Sequence, residues 1–137
     1  MLRGIMGILK KIFGICETRR PENPGCWIIS GGRVEIDLKS AGELSERGGA
    51  IRLEGKGLVD RILVIRGENG LFYAYENKCT HMGRRIDPVS GSQYITCCSV
   101  MGSSFGITGE VVSGPAKGAL KILEVKIMDN KLYIDIS

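Results

Sequence analysis

Aromatic side chains and histidine are scarce in this chain. Phe, Trp and Tyr make up 6% of its 137 residues, and there is one histidine, His81. A Lys/Arg surface interleaved with aromatics, which nucleic-acid binding requires, is missing. Long apolar runs are missing too. The uncharged stretch ahead of Lys10 covers only residues 4–9, far short of the roughly 20 residues of a membrane-spanning helix. Lys10 and Lys11 interrupt any apolar signal core and no small-x-small cleavage site follows, so a cleaved signal peptide is not expected. The five cysteines (Cys16, Cys26, Cys79, Cys97, Cys98) are odd in number and irregularly spaced, which argues against a disulfide framework. Three of them lie near His81, a pattern of metal chemistry in a reducing compartment. A chain of this length holds one ordinary domain, which excludes a multidomain enzyme.

What is present is a balanced globular composition, 43% hydrophobic and 25% charged, with 20 glycines. That many glycines favours short elements joined by tight turns. The net charge of +4 is confined to one end. Residues 1–20 hold Arg3, Lys10, Lys11, Arg19 and Arg20 against Glu17 alone, and the remaining 14 basic and 14 acidic residues cancel. Within this basic end, Met1/Leu2, Ile5/Met6, Ile8/Leu9, Ile12/Phe13 and Ile15/Cys16 recur at helical spacing, predicting an amphipathic helix over 1–17. Such a helix either docks on its own domain or a partner, or lies on an anionic membrane surface. Pro21, Pro24, Gly25 and Gly31-Gly32 predict a linker over 18–32, with the compact domain at 33–137.

Within that domain the apolar positions alternate: Val34/Ile36/Leu38, Ile51/Leu53, Ile62/Val64, Phe72/Ala74, Leu123/Val125/Ile127 and Leu132/Ile134/Ile136. A period of two broken by turn signals, including residues 67–70 and 128–131, describes antiparallel strands. The expected fold is all-β.

Between these strand groups lies a segment rich in glycine, serine and metal-ligand side chains. It opens with Cys79-Thr80-His81-Met82-Gly83. Sixteen residues separate His81 from Cys98-Ser99-Val100-Met101-Gly102-Ser103-Ser104-Phe105, and Thr108-Gly109 and Gly114-Pro115-Ala116 follow. The pattern resembles the Rieske [2Fe–2S] domain family, whose signature is C-x-H, a gap, then C-x-x-H-G, with a G-P-A segment downstream. The resemblance implies small antiparallel sheets and a two-loop subdomain that binds a [2Fe–2S] cluster. It implies that Cys79 and Cys98 hold the inner iron and His81 the outer one. Met101 stands where the second ligand histidine belongs, and its thioether is a weak neutral donor. By the same resemblance Ser103 hydrogen-bonds the cluster and Pro115 belongs to the loop that covers it, although turn geometry alone also accounts for Pro115. Arg84 and Val100 occupy the positions of a loop-bridging cysteine pair found in respiratory members.

Cys97 reads in two ways, as a small buried hydrophobe or as a ligand in its own right, since strand alternation sends it and Cys98 to opposite faces. Cys16 and Cys26 read as inert thiols. The expected function is one-electron transfer to a redox partner protein, a reductase or oxidoreductase, with no nucleophile–base pair to suggest an enzyme. Two other readings stay open: a Rieske-fold binding or structural subunit that has lost its cluster, and a structural zinc held by Cys79, His81, Cys97 and Cys98. The expected location is cytoplasmic, with the basic end meeting the inner face of the membrane. The chain should therefore bind anionic vesicles, more weakly as salt screens the attraction over about 10 Å at 0.1 M ionic strength. Deleting residues 1–20 should abolish binding and leave the β domain folded. Equal binding by the truncated chain would refute the membrane role.

Overall fold

The structure is a computed structural model and describes residues 16–99 and 102–137. The amphipathic helix expected over 1–17 lies almost wholly outside them, as do Val100 and Met101. The described residues form twelve strands in three four-stranded sheets with every pairing antiparallel. Helix is confined there to short 3-10 turns at Pro24–Cys26 and Gly42–Leu44. The all-β expectation holds.

The first sheet has the order β1-β2-β12-β11, built from Trp27–Ser30, Arg33–Asp37, Lys131–Asp135 and Val125–Met128. Its hairpins are closed by residues in the left-handed region, Gly31 and Gly32 in one and Asp129 and Asn130 in the other. Paired positive φ angles give the turn twist that antiparallel strands prefer. This corrects the reading of 18–32 as a linker. Gly31-Gly32 turns a hairpin rather than ending a domain, and Trp27 pairs with Ile36 while buried in the core.

The second sheet has the order β10-β5-β4-β3, from Ile122–Leu123, Phe72–Glu76, Ile62–Arg66 and Ala50–Leu53. It separates two cores. Ile62 and Val64 of β4 face a core shared with the first sheet, alongside Val34, Ile36, Leu132 and Ile134. Leu63 and Ile65 face the other way, with Tyr75, Ile86, Ile95 and Phe105. A strand buried on both faces loses polar alternation and reads as a continuous apolar run, which is why Ile62-Leu63-Val64-Ile65 stands together in the sequence.

The third sheet is a meander, β6-β7-β8-β9, from Ile86–Pro88, Tyr94–Cys97, Ser104–Gly106 and Val111–Ser113. Three connections gather around it: 77–85 leading into β6, 98–103 between β7 and β8, and 114–121 leaving β9. Ile86 pairs with Cys97, so the first two connections emerge side by side.

One ion cluster fastens the base to this subdomain. Arg85, directly ahead of β6, donates through Nε and Nη2 to both carboxylate oxygens of Glu54, each at 2.8 Å. Arg20 and Arg52 approach the same carboxylate at 3.6 Å, whose side chain is only 8% exposed. The Arg85 hydrogen bonds, aided by the surrounding positive charge, hold the Glu54 carboxyl below its ordinary value against the opposing effect of burial. A depressed carboxyl contributes stability that is present above its unfolded pKa and lost as pH falls through the folded one. Glu54→Gln should therefore cost about 2 kcal/mol at pH 7, below the figure for a fully buried pair because Arg85 is partly exposed. The deficit in urea unfolding should shrink toward zero as pH drops below about 4; a deficit that is the same at pH 7 and pH 3 would contradict the ionic assignment.

Candidate metal centre

The first loop is a closed turn. The Cys79 N–H donates to the Arg84 carbonyl at 2.7 Å and the Gly83 N–H donates to the Cys79 carbonyl at 2.8 Å. Gly83 supplies the positive φ of 73° that closes it. Beneath it, Arg61 donates to the carbonyls of Asn77 and Gly83, at 3.0 and 2.8 Å from Nη2. The buried Asn77 accepts from the Ile86 N–H at 2.8 Å. The turn thus has a fixed base, while His81 and Met82 at its tip are exposed. Nothing in the spacing of Arg61 and Asn77 marks them as loop supports, because both act from the base of the turn through backbone carbonyls and amides.

The second loop follows β7. The Cys98 N–H donates to the Arg85 carbonyl at 2.9 Å, the Cys97 N–H to the Ser103 carbonyl at 2.9 Å and the Gly102 N–H to the Ser99 carbonyl at 3.1 Å. A Cβ on Gly102 would lie 2.9 Å from both the Cys97 Cβ and the Cys97 carbonyl oxygen, so the chain doubles back too tightly for any side chain there. Val100 and Met101 lie outside the described residues.

Strand alternation decides between the adjacent cysteines. Cys97 turns inward and joins the core beside Cys79. Cys98 turns the other way and is joined by a disulfide to Cys16. This differs from the sequence expectation in two respects. Cys98, expected as the partner of Cys79 on the inner iron, has its sulfur bonded elsewhere, and Cys16, expected as an inert thiol, is the other half of that bond. For the same reason the zinc set of Cys79, His81, Cys97 and Cys98 does not converge. Burial, followed by the neighbouring Cys79 thiol, pushes the Cys97 thiol up to about 12, and the positive charge of Arg84 opposes the rise. Cys26 is a free buried thiol in the other core.

The third loop covers the second. The Ala116 N–H donates to the fully buried Ser103 Oγ at 2.7 Å, and a Cβ on Gly114 would fall 2.5 Å from the Ser103 Cα. Thr80 Oγ1 donates to the Gly118 carbonyl at 2.5 Å, tying the covering loop to the histidine-bearing turn. Pro115 is exposed at its crest. Phe105 and Leu120 close the floor around Cys79 and Cys97. Two facing buried sulfurs, with an imidazole two residues beyond one of them, make a donor set for a transition metal of borderline to soft character.

Comparison with known proteins identifies the domain. A sequence model of the Rieske [2Fe-2S] domain matches residues 36–124. The cytochrome b6-f complex iron-sulfur subunit of Trichodesmium erythraeum is 38% identical over 71 residues, covering 51% of this chain and 39% of that protein. A putative Rieske 2Fe-2S iron-sulfur protein, YhfW of Bacillus subtilis, is 32% identical over 92 residues, covering 67% of this chain and 16% of that protein. The chain thus spans well under half the length of these curated relatives. Among solved structures, the cyanobacterial plasma membrane Rieske protein PetC3 from Synechocystis superposes with a TM-score of 0.52 at 25% identity, over 61% of this chain and 85% of that one. With the family model spanning well over half of its residues and the loops arranged around a shared pair of sulfurs, the chain belongs to the Rieske [2Fe-2S] domain family.

Proposed function

We propose that the chain carries single electrons on a [2Fe-2S] cluster held by Cys79 and Cys97 on the inner iron and by His81 on the outer iron. The observation that carries this reading is the burial of Cys79 and Cys97 in one core at the adjoining ends of two loops. The donors fit the family's cluster at three positions and depart from it at the fourth. A Rieske outer iron takes two imidazoles, and this chain has one histidine. The fourth donor is then Met101, another loop group or solvent. When bound, the cluster supplies one-electron oxidation and reduction.

The residues around it have separable tasks. Cys79 and Cys97 give up their protons to ligate, and the positive charge of Arg84 favours the Cys97 thiolate. Phe105, Leu120, Ala116 and Ile86 exclude water from the two sulfurs. Ser103 uses Oγ as an acceptor toward Ala116, which leaves its O–H as a donor toward the centre. His81, exposed at the loop tip, supplies the outer edge where a partner protein would approach and where the second ring nitrogen exchanges its proton with solvent. The partner is a redox protein, in keeping with the relatives named as subunits of the cytochrome b6-f complex. No helix among the described residues is long and apolar enough to cross a membrane, and residues 1–20 remain the proposed peripheral contact.

Anaerobically purified protein should contain near two irons and two sulfides per chain, and Cys79→Ser or Cys97→Ser should lose most of both. Stoichiometric zinc without sulfide would overturn the reading. Nitrogen hyperfine spectroscopy should detect one coordinated imidazole in the native chain and two in Met101→His. Two coordinated nitrogens in the native protein would refute the ligand set.

A further inference from the structure

Arg61 stands directly ahead of β4 and reaches beneath the turn that carries Cys79 and His81. Its guanidinium spans that turn. Nε and Nη2 donate to the Asn77 carbonyl at 3.2 and 3.0 Å, and Nη2 also donates to the Gly83 carbonyl at 2.8 Å. Those carbonyls belong to the second residue before Cys79 and the second after His81, so one planar fork bridges both ends of the ligand-bearing segment. Arg61 is held in return, since the Asn77 N–H donates to the Arg61 carbonyl at 2.8 Å. Asn77, 1% exposed, also accepts from the Ile86 N–H through its side chain, which ties the bridge to the start of β6. No carboxylate neutralises the charge. Asp60, Glu76 and Lys78 line the same cleft, yet Glu76 is taken up by Lys78 and Lys121. Among the described residues no acid comes within ion-pair distance of Arg61.

We propose that Arg61 is a positioning residue that sets the reduction potential of the centre: its fork holds the Cys79–His81 turn in one conformation, and its unpaired charge favours the reduced state. The proposal rests on the electron-carrier reading with Cys79 and His81 as ligands, and is indifferent to which groups of the second loop complete the set. Reduction brings one negative charge to the centre, and a fixed positive charge behind the ligand turn lowers its energy there. The guanidinium is already oriented by its bonds to two carbonyls, so no reorganisation opposes the arriving electron. Lysine is not equivalent at this position. A compact ammonium supplies the same charge but cannot meet two carbonyls with a planar fork. Charge and geometry therefore separate on substitution: Arg61→Lys keeps the charge and loses the bridge, whereas Arg61→Gln loses both.

The test compares the native full-length chain with Arg61→Lys and Arg61→Gln, each loaded with iron and sulfide. Redox titration should place Arg61→Gln lower by about tenfold in the one-electron equilibrium, which is about 59 mV. Arg61→Lys should recover most of that loss. Amide exchange across residues 79–83, read by mass spectrometry, should speed up by about tenfold or more in both variants, since each loses the bridge between Asn77 and Gly83. The nitrogen hyperfine coupling of His81 in the reduced state should change in both as well. A native potential in Arg61→Gln, or native exchange in both variants, overturns the proposal. If Arg61→Gln takes up no iron, Arg61→Lys decides: fast exchange with a near-native potential supports the proposal, and native exchange or failure to load overturns it. Iron and sulfide content separates this failure from that of the electron-carrier reading. A native chain without iron fails that reading, whereas a loaded native chain whose potential Arg61→Gln leaves unchanged fails the Arg61 proposal alone.

Discussion

The pairing of Ile86 with Cys97 is the constraint on which the site depends. It sets the ends of two loops side by side and, through the alternation of an extended chain, decides which of two adjacent cysteines faces inward. A slip of one residue would exchange Cys97 and Cys98, moving one sulfur out of the core and bringing the other in. Several bonds hold the register: the Cys98 N–H on the Arg85 carbonyl, the Cys97 N–H on the Ser103 carbonyl, and Asn77 beneath Ile86. Arg85 is itself locked by both oxygens of Glu54. A carboxylate in the base therefore helps fix which sulfur meets Cys79.

Most of the architecture was legible from period-two patterning, because strands packed on one face must alternate. The first histidine-bearing loop was legible too, since Cys79, His81 and Gly83 act locally in a single closed turn. What escaped the sequence was non-local. β1 hides behind prolines and glycines whose local meaning is a break, although Trp27 is held by pairing with Ile36. Leu63 and Ile65 were invisible as a second apolar face, since a doubly buried strand has no polar positions to mark it. The choice between Cys97 and Cys98 turned on register, which motif spacing counts but does not orient. The link from Cys16 to Cys98 spans most of the chain, and cysteine arithmetic alone could not reveal it.

Charge is distributed to match this division. The body is neutral overall, yet three arginines converge on Glu54, so the junction between base and cluster subdomain carries a local positive excess within a balanced domain. That excess lies beside the arm leading to the basic end of the chain. Arg84 adds positive charge near Cys97, while Phe105 and Leu120 pack around the same sulfur as apolar neighbours.

The position of β12 inside the first sheet has a consequence for how the chain is made. Val34 pairs with Ile134, so the β1–β2 hairpin leaves the ribosome well before the strand that completes its sheet. The cluster-binding meander lies between them in sequence and consists of local hairpins, which close at a lower entropic cost. During synthesis the meander and its loops are thus in a position to form while the base is still incomplete, with an open strand edge on β2 for the interval. Closure of the base waits for β12, and the pairing of that late strand with β2 completes the first sheet.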